Sequence, residues 1–547
     1  MNYKILKIHP RDNVFVALKN LKKGERLVHE NKEILILENI PAKHKFSKNN
    51  LLPGDGIIMY GTLVGKANTT ITKGSRLTIA NVAHQTTSFS KKEIISDWDA
   101  PNVNKWKSKT FMGYHRKDGQ VGTANYWLVI PLVFCENRNV EVMKYAFLEE
   151  LGFTKPNPYK NYVRQMVNLY QQGKEIDIEY AKIANPELEN SSLFAHVDGI
   201  KFLTHTGGCG GTRQDSEMLC TLLAGYVTNP NVAGATILSL GCQNAQISIL
   251  EEKLQNINPD FGKPVYYLEH QKEGTEQNMI TKAIQKTFTG LVEANKTERK
   301  PAPLSKLTIG LECGGSDGFS GISSNPAVGQ VSDLIVALGG KTILAEFPEL
   351  CGVEQELINR CQSNAISDKF INLMQSYAAS AEAVDSGFDM NPSPGNIKDG
   401  LITDAMKSAG AAKKGGTSPV VDVLDYAEYA KKNGLNLLCT PGNDVESTTA
   451  LAGSGANIIL FTTGLGTPTG NPITPVIKIS SNTSLAKRMI DIIDIDTGEV
   501  ITGQKTIKQM GEDLLDFIIE IASGRKKTKA QQLNQDDFIP WKRGVSL

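Results

Sequence analysis

The chain has 547 residues, and its 59 Lys and Arg nearly balance its 58 Asp and Glu, which leaves a formal net charge of +1. A near-neutral chain lacks the basic excess that attracts nucleic acids or anionic membranes, so these partners are excluded and a small molecule is favoured. Because the chain is far longer than one ordinary domain, we expect two to four domains.

The N-terminus and the cysteines indicate the compartment. Residues 1–9 lack the apolar core of a signal peptide. The longest apolar stretch, 126–135, contains Pro131 and is too short to cross a bilayer. We therefore expect a cytoplasmic protein whose 8 cysteines are reduced thiols. The cysteines that follow apolar, strand-like runs are Cys135, Cys209, Cys242 and Cys313.

Residues 1–85 predict a small all-β module. Short apolar runs at 13–18, 33–37 and 56–60 alternate with glycine-containing turns, and a long helical period is missing. Residues 86–110 are polar and irregular, which is typical of a linker.

From residue 111 onward, predicted strands alternate with helical stretches, which indicates parallel α/β layers. A charged, proline-containing break at 297–303 divides this region into a middle α/β domain, 111–300, and a second α/β domain, 301–547. The middle domain has predicted strands at 126–130, 199–203, 234–240 and 265–268 and helices at 140–151 and 162–180. The second domain has predicted strands at 307–309, 342–344, 435–438, 457–461 and 476–479 and a closing helix at 506–522.

Glycine-rich loops with metal-binding side chains follow several predicted strands. Ligands bind at the carboxyl ends of strands in an open α/β sheet, and glycines there let a backbone approach a ligand closely. The chain has no C-x₂-C pair, so we predict an open metal site built from separated loops and not a closed structural zinc site. The candidate metal ligands are His205, Cys209, Cys242, Glu312, Cys313 and Asp317.

Other polar residues are candidates for acid–base chemistry or substrate contacts. In the β module, His9 is one candidate, and His44 next to Lys45 can provide a base or proton donor beside a cation. Arg116 can reach a carboxylate. The loop at 462–470 presents hydroxyls but lacks the lysine of a P-loop, so nucleotide binding is not supported.

These motifs, in this order, resemble the altronate/galactarate dehydratase family over nearly the whole chain. The matching stretches are 8–14, 44–46, 119–122, 205–209, 240–242, 310–318, 391–396, 420–424, 441–444, 463–468 and 544–547. The resemblance implies a β-clip (SAF-like) N-terminal domain, a middle α/β domain that forms a homodimer, and a C-terminal Rossmann-like parallel-sheet domain.

The resemblance also implies elimination of water from a sugar acid, with D-altronate as the expected substrate and Fe²⁺ or Mn²⁺ as the cofactor. A divalent metal can stabilise the enediolate that forms when C2 loses its proton. The expected catalytic residues are His44, Lys45 and His9. The expected substrate-binding residues are Arg116, Asn125, Ser316, Asn443, Asp444, Thr463 and Thr467.

Three alternatives stay open. The substrate can be galactarate or a sulfolactate that loses sulfite. Thiols at the strand ends can hold an iron–sulfur cluster in place of a single ion. Ala124 stands where relatives often carry arginine, which leaves a sugar-acid sensor without catalysis as the third alternative.

Overall fold

The computed structural model describes residues 4–93, 97–154, 157–176 and 192–547. Its strands are β1 (Ile5–Leu6), β2 (Val14–Ala17), β3 (Arg26–His29), β4 (Lys32–Leu35), β5 (Lys45–Ser47), β6 (Gly56–Met59), β7 (Thr62–Ala67), β8 (Val82–Ala83), β9 (Thr110–His115), β10 (Val121–Gly122), β11 (Tyr126–Pro131), β12 (Gly199–Phe202), β13 (Val232–Ser239), β14 (Val265–Glu269), β15 (Arg299–Pro303), β16 (Thr308–Cys313), β17 (Lys341–Leu344), β18 (Val420–Leu424), β19 (Gly434–Leu438), β20 (Ile458–Thr463), β21 (Val476–Ser480) and β22 (Ile495–Asp496).

The α-helices are α1 (Asn137–Glu150), α2 (Pro158–Gln171), α3 (Arg213–Thr228), α4 (Ile247–Ile257), α5 (His270–Glu273), α6 (Glu276–Ala294), α7 (Ser324–Ala337), α8 (Glu354–Arg360), α9 (Asn364–Glu382), α10 (Pro394–Lys398), α11 (Asp404–Ala411), α12 (Asp444–Gly453), α13 (Thr483–Arg488), α14 (Gly498–Ile501), α15 (Ile507–Ala522) and α16 (Lys529–Leu533). In the described part of the chain, no helix combines the length and apolar character needed to cross a membrane.

The N-terminal module consists of three small antiparallel sheets, β1-β2-β5, β3-β4 and β6-β7-β8. Its described residues, 4–85, contain no helix. Phe15 and Phe46 pair across β2 and β5 and stack in its core, with ring centroids 5.4 Å apart. The predicted all-β module is confirmed.

The middle region is built on a four-stranded parallel sheet in the order β12-β11-β13-β14. β11 and β13 are buried along their whole length, as expected for parallel strands that are covered on both faces. Helix α1 matches the predicted helix at 140–151. Helix α2 overlaps the prediction at 162–180, of which residues 177–180 lie outside the described residues.

The C-terminal region contains a seven-stranded parallel sheet in the order β18-β19-β17-β16-β20-β21-β22. The five strands predicted from the sequence are all present, and β18 and β22 extend the sheet at its two edges. β16 is the central strand and has β17 on one side and β20 on the other. The loop that follows β16 therefore lies in the middle of the carboxyl edge, where ligands bind in such sheets.

The two parallel sheets are joined by a small antiparallel sheet, β10-β9-β15. β15 is the proline-containing segment that the sequence suggests as a break, and the predicted boundary between residues 300 and 301 falls inside it. Proline is tolerated there because β15 is an edge strand.

Helices α3 and α12 pack the two parallel sheets against each other. A Cβ atom on Gly225 would lie 1.9 Å from the carbonyl oxygen of Gly453, so the last turns of the helices touch backbone to backbone. The beginnings of the two helices also lie close together, because both are near Tyr426. This tyrosine borders the same cavity as Met218 of α3 and donates a hydrogen bond to the carbonyl oxygen of Glu446 of α12. The helices therefore run in the same direction, and the loops that precede them lie on one side of the molecule.

Candidate functional site

A buried group of acids and lysines lies at the carboxyl ends of β16 and β17, and we call it the acid–lysine cluster. Its members are Glu312, Cys313, Glu346, Glu349, Lys407 and Lys414, none of them more than 9% exposed. Charged side chains are rarely buried unless they are paired, so a group of this kind inside a sheet edge indicates a functional centre.

Lys414 is the central cation of the cluster. Its Nζ lies 2.6 Å from the Sγ of Cys313, 3.0 Å from a carboxylate oxygen of Glu346 and 3.9 Å from one of Glu349. The second lysine, Lys407, lies 2.6 Å from the other oxygen of Glu349. The thiol of Cys313 donates to Glu349 at 2.8 Å.

The backbone around Glu346 directs its carboxylate into the cluster. Glu346 has a φ of 69°, a left-handed conformation that is uncommon for residues other than glycine and often found at functional sites. Its amide donates to the hydroxyl of Thr440, and its carboxylate accepts from the amide of Cys313. These two bonds connect the loops that follow β17, β19 and β16.

Burial and neighbouring charges shift the protonation of the cluster. Burial raises the pKa of Glu312 well above its usual range, and the charge of Glu346 adds to this effect. Burial also raises the pKa of Glu346 to about 7, and there the charge of Glu349 adds to the effect. Burial also raises the pKa of the Cys313 thiol. Burial acts in the same direction on Glu349, but the charges of Lys407 and Lys414 outweigh it and lower the pKa of that carboxyl.

The cluster fits a divalent metal ion. Ligand atoms of Cys313, Glu346 and Glu349 all lie within 4.8 Å of one another, and within the described ranges this is the one group of three or more such side chains. One oxygen each of Glu312 and Glu346 is buried without a hydrogen-bond partner. When Glu312, Cys313, Glu346 and Glu349 have all lost their protons, they carry two more negative charges than the two lysines can balance. A divalent ion would balance this excess. One thiolate with carboxylates suits Fe²⁺ or Mn²⁺.

The N-terminal module covers the loop that follows β16. Lys43 reaches across and lies 3.0 Å from Asp317 and 2.9 Å from Asp399. The neighbouring Lys45 is buried and donates to the carbonyl oxygen of Gly400 at 2.7 Å. Burial lowers the pKa of Lys45 to about 7. His44 also reaches this part of the chain, since its Nε2 lies 3.1 Å from the carbonyl oxygen of Lys398.

Two glycines make room for this contact. A Cβ atom on Gly318 would lie 2.3 Å from the carbonyl oxygen of Lys43, and one on Gly400 would lie 2.6 Å from the same oxygen. Gly400 also has a φ of +91°, which side chains disfavour. The Lys43 backbone is thus held between two positions that only glycine fits.

A cavity of about 380 Å³ lies near these loops, and a cavity of about 580 Å³ lies at the carboxyl edge of the middle sheet. The smaller one opens between the N-terminal module and the C-terminal sheet, where Lys43, Asp399, Asn482 and Arg488 line it. Its cations suit a carboxylate, and its amide and carboxylate groups suit the hydroxyls of a polyol.

Comparison with known proteins assigns the chain to a family. Residues 3–85 match the altronate/galactarate dehydratase SAF domain, residues 113–295 match the second domain of D-galactarate dehydratase/altronate hydrolase, and residues 304–546 match the C-terminal domain of D-galactarate/altronate dehydratase. The chain belongs to the D-galactarate/altronate dehydratase family. The predicted family and the prediction of an enzyme are thereby confirmed.

Similar members of the family match end to end. The altronate dehydratase of Escherichia coli strain K12 is 32% identical over 543 residues, and that of Bacillus subtilis strain 168 is 33% identical over 544 residues, with 99% of each chain covered in both pairs. The galactarate dehydratase (L-threo-forming) of Escherichia coli is 29% identical over 533 residues, which are 96% of this chain and 94% of that protein.

In this family member, most of the predicted substrate-binding residues surround the turn at Gly314 and Gly315. A Cβ atom on Gly314 would lie 2.2 Å from Asp444, and one on Gly315 would lie 3.2 Å from the hydroxyl of Thr467 and 3.4 Å from that of Thr463. Two more lie next to these in the chain: Ser316 follows the turn, and Asn443 caps α12, where its side chain accepts from backbone amides.

Asp317 has its carboxylate fully engaged by protein groups. It accepts from Ser320, Ser481 and Asn482, in addition to the ion pair with Lys43. This arrangement gives Asp317 a positioning role, because it anchors the N-terminal module above the sheet.

Three of the predicted metal ligands lie elsewhere. His205, Cys209 and Cys242 are at the carboxyl edge of the middle sheet and are not part of the acid–lysine cluster. The Nε2 of His205 donates to the carbonyl oxygen of Pro131 at 2.7 Å, and its Nδ1 accepts from the amide of Gly207 at 3.1 Å. Both ring nitrogens are thus used to hold the backbone.

Three further predicted residues also lie apart from the cluster. Arg116 donates to the carbonyl oxygen of Pro230 and to the side chain of Asn125, and Asn125 itself is buried and bonded to the backbone of the middle region. The Nδ1 of His9 accepts from the amide of Arg11 within the N-terminal module. These contacts explain each residue by local structure.

Several residues that frame the site were not predicted, namely Lys43, Glu346, Glu349, Lys407, Lys414 and Arg488. Glu346 and Glu349 follow the strand predicted at 342–344, and acidic residues after a strand could have indicated a site. They were missed because the segment that carries them contains no glycine, unlike the predicted metal-binding loops. Lys407 lies in α11, and Lys414 lies in the 3-10 turn Ala412–Gly415 that directly follows this helix.

The anchoring role of Asp317 can be tested with Asp317→Asn, which keeps the shape but removes the charge. We expect a loss of about 1–3 kcal/mol in the free energy of unfolding, because Lys43 loses a buried carboxylate. We also expect faster hydrogen exchange at residues 41–47 and a lower kcat.

The matched control is Glu428→Gln, which removes the carboxylate of the exposed pair with Lys369. It should cost at most about 1 kcal/mol and leave exchange at residues 41–47 unchanged. An Asp317→Asn protein with wild-type exchange at those residues would show that Asp317 does not anchor the module.

Proposed function

We propose that this protein is a hydro-lyase that converts D-altronate to 2-dehydro-3-deoxy-D-gluconate and water. The observation that carries the proposal is the similarity to two altronate dehydratases, which extends over 99% of all the chains compared. The acid–lysine cluster and the cavity of about 380 Å³ supply the kind of groups that such an elimination needs.

The reaction removes the proton on C2 and the hydroxyl on C3 of a 2,3-dihydroxy acid. The C2 proton is weakly acidic, so the negative charge that develops on the carboxylate side must be stabilised. A divalent ion held by Cys313, Glu346 and Glu349 would supply this stabilisation as a Lewis acid. The enol product then tautomerises to the 2-keto-3-deoxy acid.

The protein's own groups divide the remaining work. Arg488 and Lys43 line the cavity of about 380 Å³ and are proposed to hold the substrate carboxylate. Lys45 is proposed as the base, since a pKa of about 7 leaves a large neutral fraction at physiological pH. The N-terminal module excludes water from this side once Lys43 is paired with Asp317.

The proposed activity is tested by incubating the Fe²⁺-loaded, reduced enzyme with D-altronate, galactarate and sulfolactate and scoring the keto-acid product. We expect the highest kcat/KM with D-altronate. Lys45→Met should lower kcat by about 10²–10⁴-fold, the usual contribution of a general base.

A matched control is Lys66→Met, which removes an exposed lysine of the same module. It should retain wild-type kcat. Binding of D-altronate without any product would contradict the hydro-lyase and favour the sugar-acid sensor. A higher kcat/KM with galactarate would contradict the proposed substrate alone.

Metal binding at the cluster has its own test, since protons and the metal compete for Glu346. The raised pKa means that the folded, metal-free protein keeps this proton between about pH 4.5 and 7, so its stability falls as pH rises through that window. We therefore expect the rise in Tm caused by added Mn²⁺ to increase from pH 5.5 to 8 in the wild type.

The increase should be lost in Glu346→Gln. Glu354→Gln is the matched control, because Glu354 is also buried with its pKa raised to about 7 but lies outside the cluster. An equal, pH-dependent Mn²⁺ effect in Glu346→Gln would show that the metal binds at another place.

A further inference from the structure

The carboxyl edge of the middle sheet carries three exposed cysteines. Cys135 follows β11, Cys209 follows β12 and Cys242 follows β13. Of the other five cysteines, four are buried and one is intermediate. Free cysteine is among the most buried residue types, so three exposed thiols at one sheet edge are not explained by packing.

The loops that carry these cysteines touch one another. The strand order β12-β11-β13 places them on neighbouring strands, which lie about 4.8 Å apart. The amide of Phe134 donates to the carbonyl oxygen of Gly207 at 3.1 Å, and the amide of Asn244 donates to that of Gly208 at 2.9 Å. The Cys209 loop is therefore bonded to both the Cys135 loop and the Cys242 loop.

Glycines beside two of the cysteines permit this close approach. Gly208 has a φ of +96°, and a Cβ atom there would lie 2.1 Å from the carbonyl oxygen of Leu132. Gly241 has a φ of +122°, and a Cβ atom there would lie 2.6 Å from the side chain of Gln271. A larger residue at Gly208 would push the loops after β11 and β12 apart, and one at Gly241 would displace the side chain of Gln271.

Buried polar side chains hold the loops in place. His205 bridges the end of β11 and the amide of Gly207, and burial lowers its pKa to about 4, so it stays neutral in this role. Gln243 is buried, accepts from the amide of Gly241 and donates to Ser239. Support of this kind around candidate ligands is typical of metal centres.

The three thiols are free of protein partners, since no Sγ atom among them makes a hydrogen bond to a described residue. They also do not form a group with ligand atoms within 4.8 Å of one another. A single tetrahedral ion would hold thiolates about 3.8 Å apart, given metal–sulfur bonds of about 2.3 Å. A cluster spreads its iron atoms and holds its thiolates further apart.

We propose that Cys135, Cys209 and Cys242 bind an iron–sulfur cluster in the middle domain. Each thiol loses its proton and ligates one iron of a [4Fe–4S] cluster, which leaves one iron without a protein ligand. Cys209 lines the cavity of about 580 Å³, so the cluster would lie beside a space that admits a small molecule with a carboxylate or hydroxyl group. The proposal does not depend on the proposed function.

The test measures iron and acid-labile sulfide per chain in the full-length protein after anaerobic reconstitution with iron and sulfide. We expect about four of each in the wild type, with broad visible absorption that bleaches on exposure to air. Cys135→Ser, Cys209→Ser and Cys242→Ser should each lose most of the sulfide without a change in the Tm of the cluster-free protein, because the three side chains are exposed.

Two controls locate the site. Cys361→Ser should keep the full sulfide content, since its thiol is buried and its hydrogen bond to the carbonyl oxygen of Leu357 survives in serine. Cys313→Ser should also keep it, which separates this centre from the acid–lysine cluster.

The proposal would be overturned if the reconstituted wild-type protein contained iron or zinc but no acid-labile sulfide. Full sulfide in the triple variant C135S/C209S/C242S would overturn it as well. A protein with the full cluster but no turnover of D-altronate would contradict the proposed function and leave this inference intact.

Discussion

The buried ammonium of Lys414 is the interaction on which the C-terminal site depends. It lies within 3.0 Å of both Cys313 and Glu346, the residues through which the loops after β16 and β17 meet. Removing the ammonium would leave the carboxylate of Glu346 buried without its ion-pair partner, which is far more costly than losing an exposed pair. The excess of acids that remains around Lys414 has to be balanced by protons or by a metal. That competition links the metal content of the site to pH.

The anchoring of the N-terminal module is the second constraint. Lys43 can pair with Asp317 because Gly318 and Gly400 leave its backbone room to enter. The same pairing positions Lys45 in a buried environment, where its pKa falls to about 7. The base proposed in the N-terminal module, Lys45, therefore depends on the contact between Lys43 and Asp317. That contact is possible because Gly318 and Gly400 have no side chains.

The sequence was sufficient to predict the all-β N-terminal module, the alternation of strands and helices and the family. These rest on local patterns, such as turn residues and apolar periods, that the chain carries independently of its neighbours. It was also sufficient to find the loop of Glu312, Cys313 and Asp317, because strand ends with glycines are recognisable.

The sequence did not show which strand ends meet. The six predicted metal ligands were expected at one site, yet they divide between the edges of two sheets, because parallel strands of different domains carry similar loops. Glu346 follows β17, and Lys414 lies 68 residues away in the 3-10 turn Ala412–Gly415 after α11. The two pair because this turn packs against β16 and β17, which are neighbours in the sheet. Strand order follows from tertiary packing and has no signature in the local sequence.

Anomalous diffraction from crystals of the Mn²⁺-loaded enzyme tests the central claim most directly. The account predicts a peak within bonding distance of the Cys313 thiolate and the carboxylates of Glu346 and Glu349. A crystal of active enzyme with its manganese peak at another place, and none among these three side chains, would contradict it.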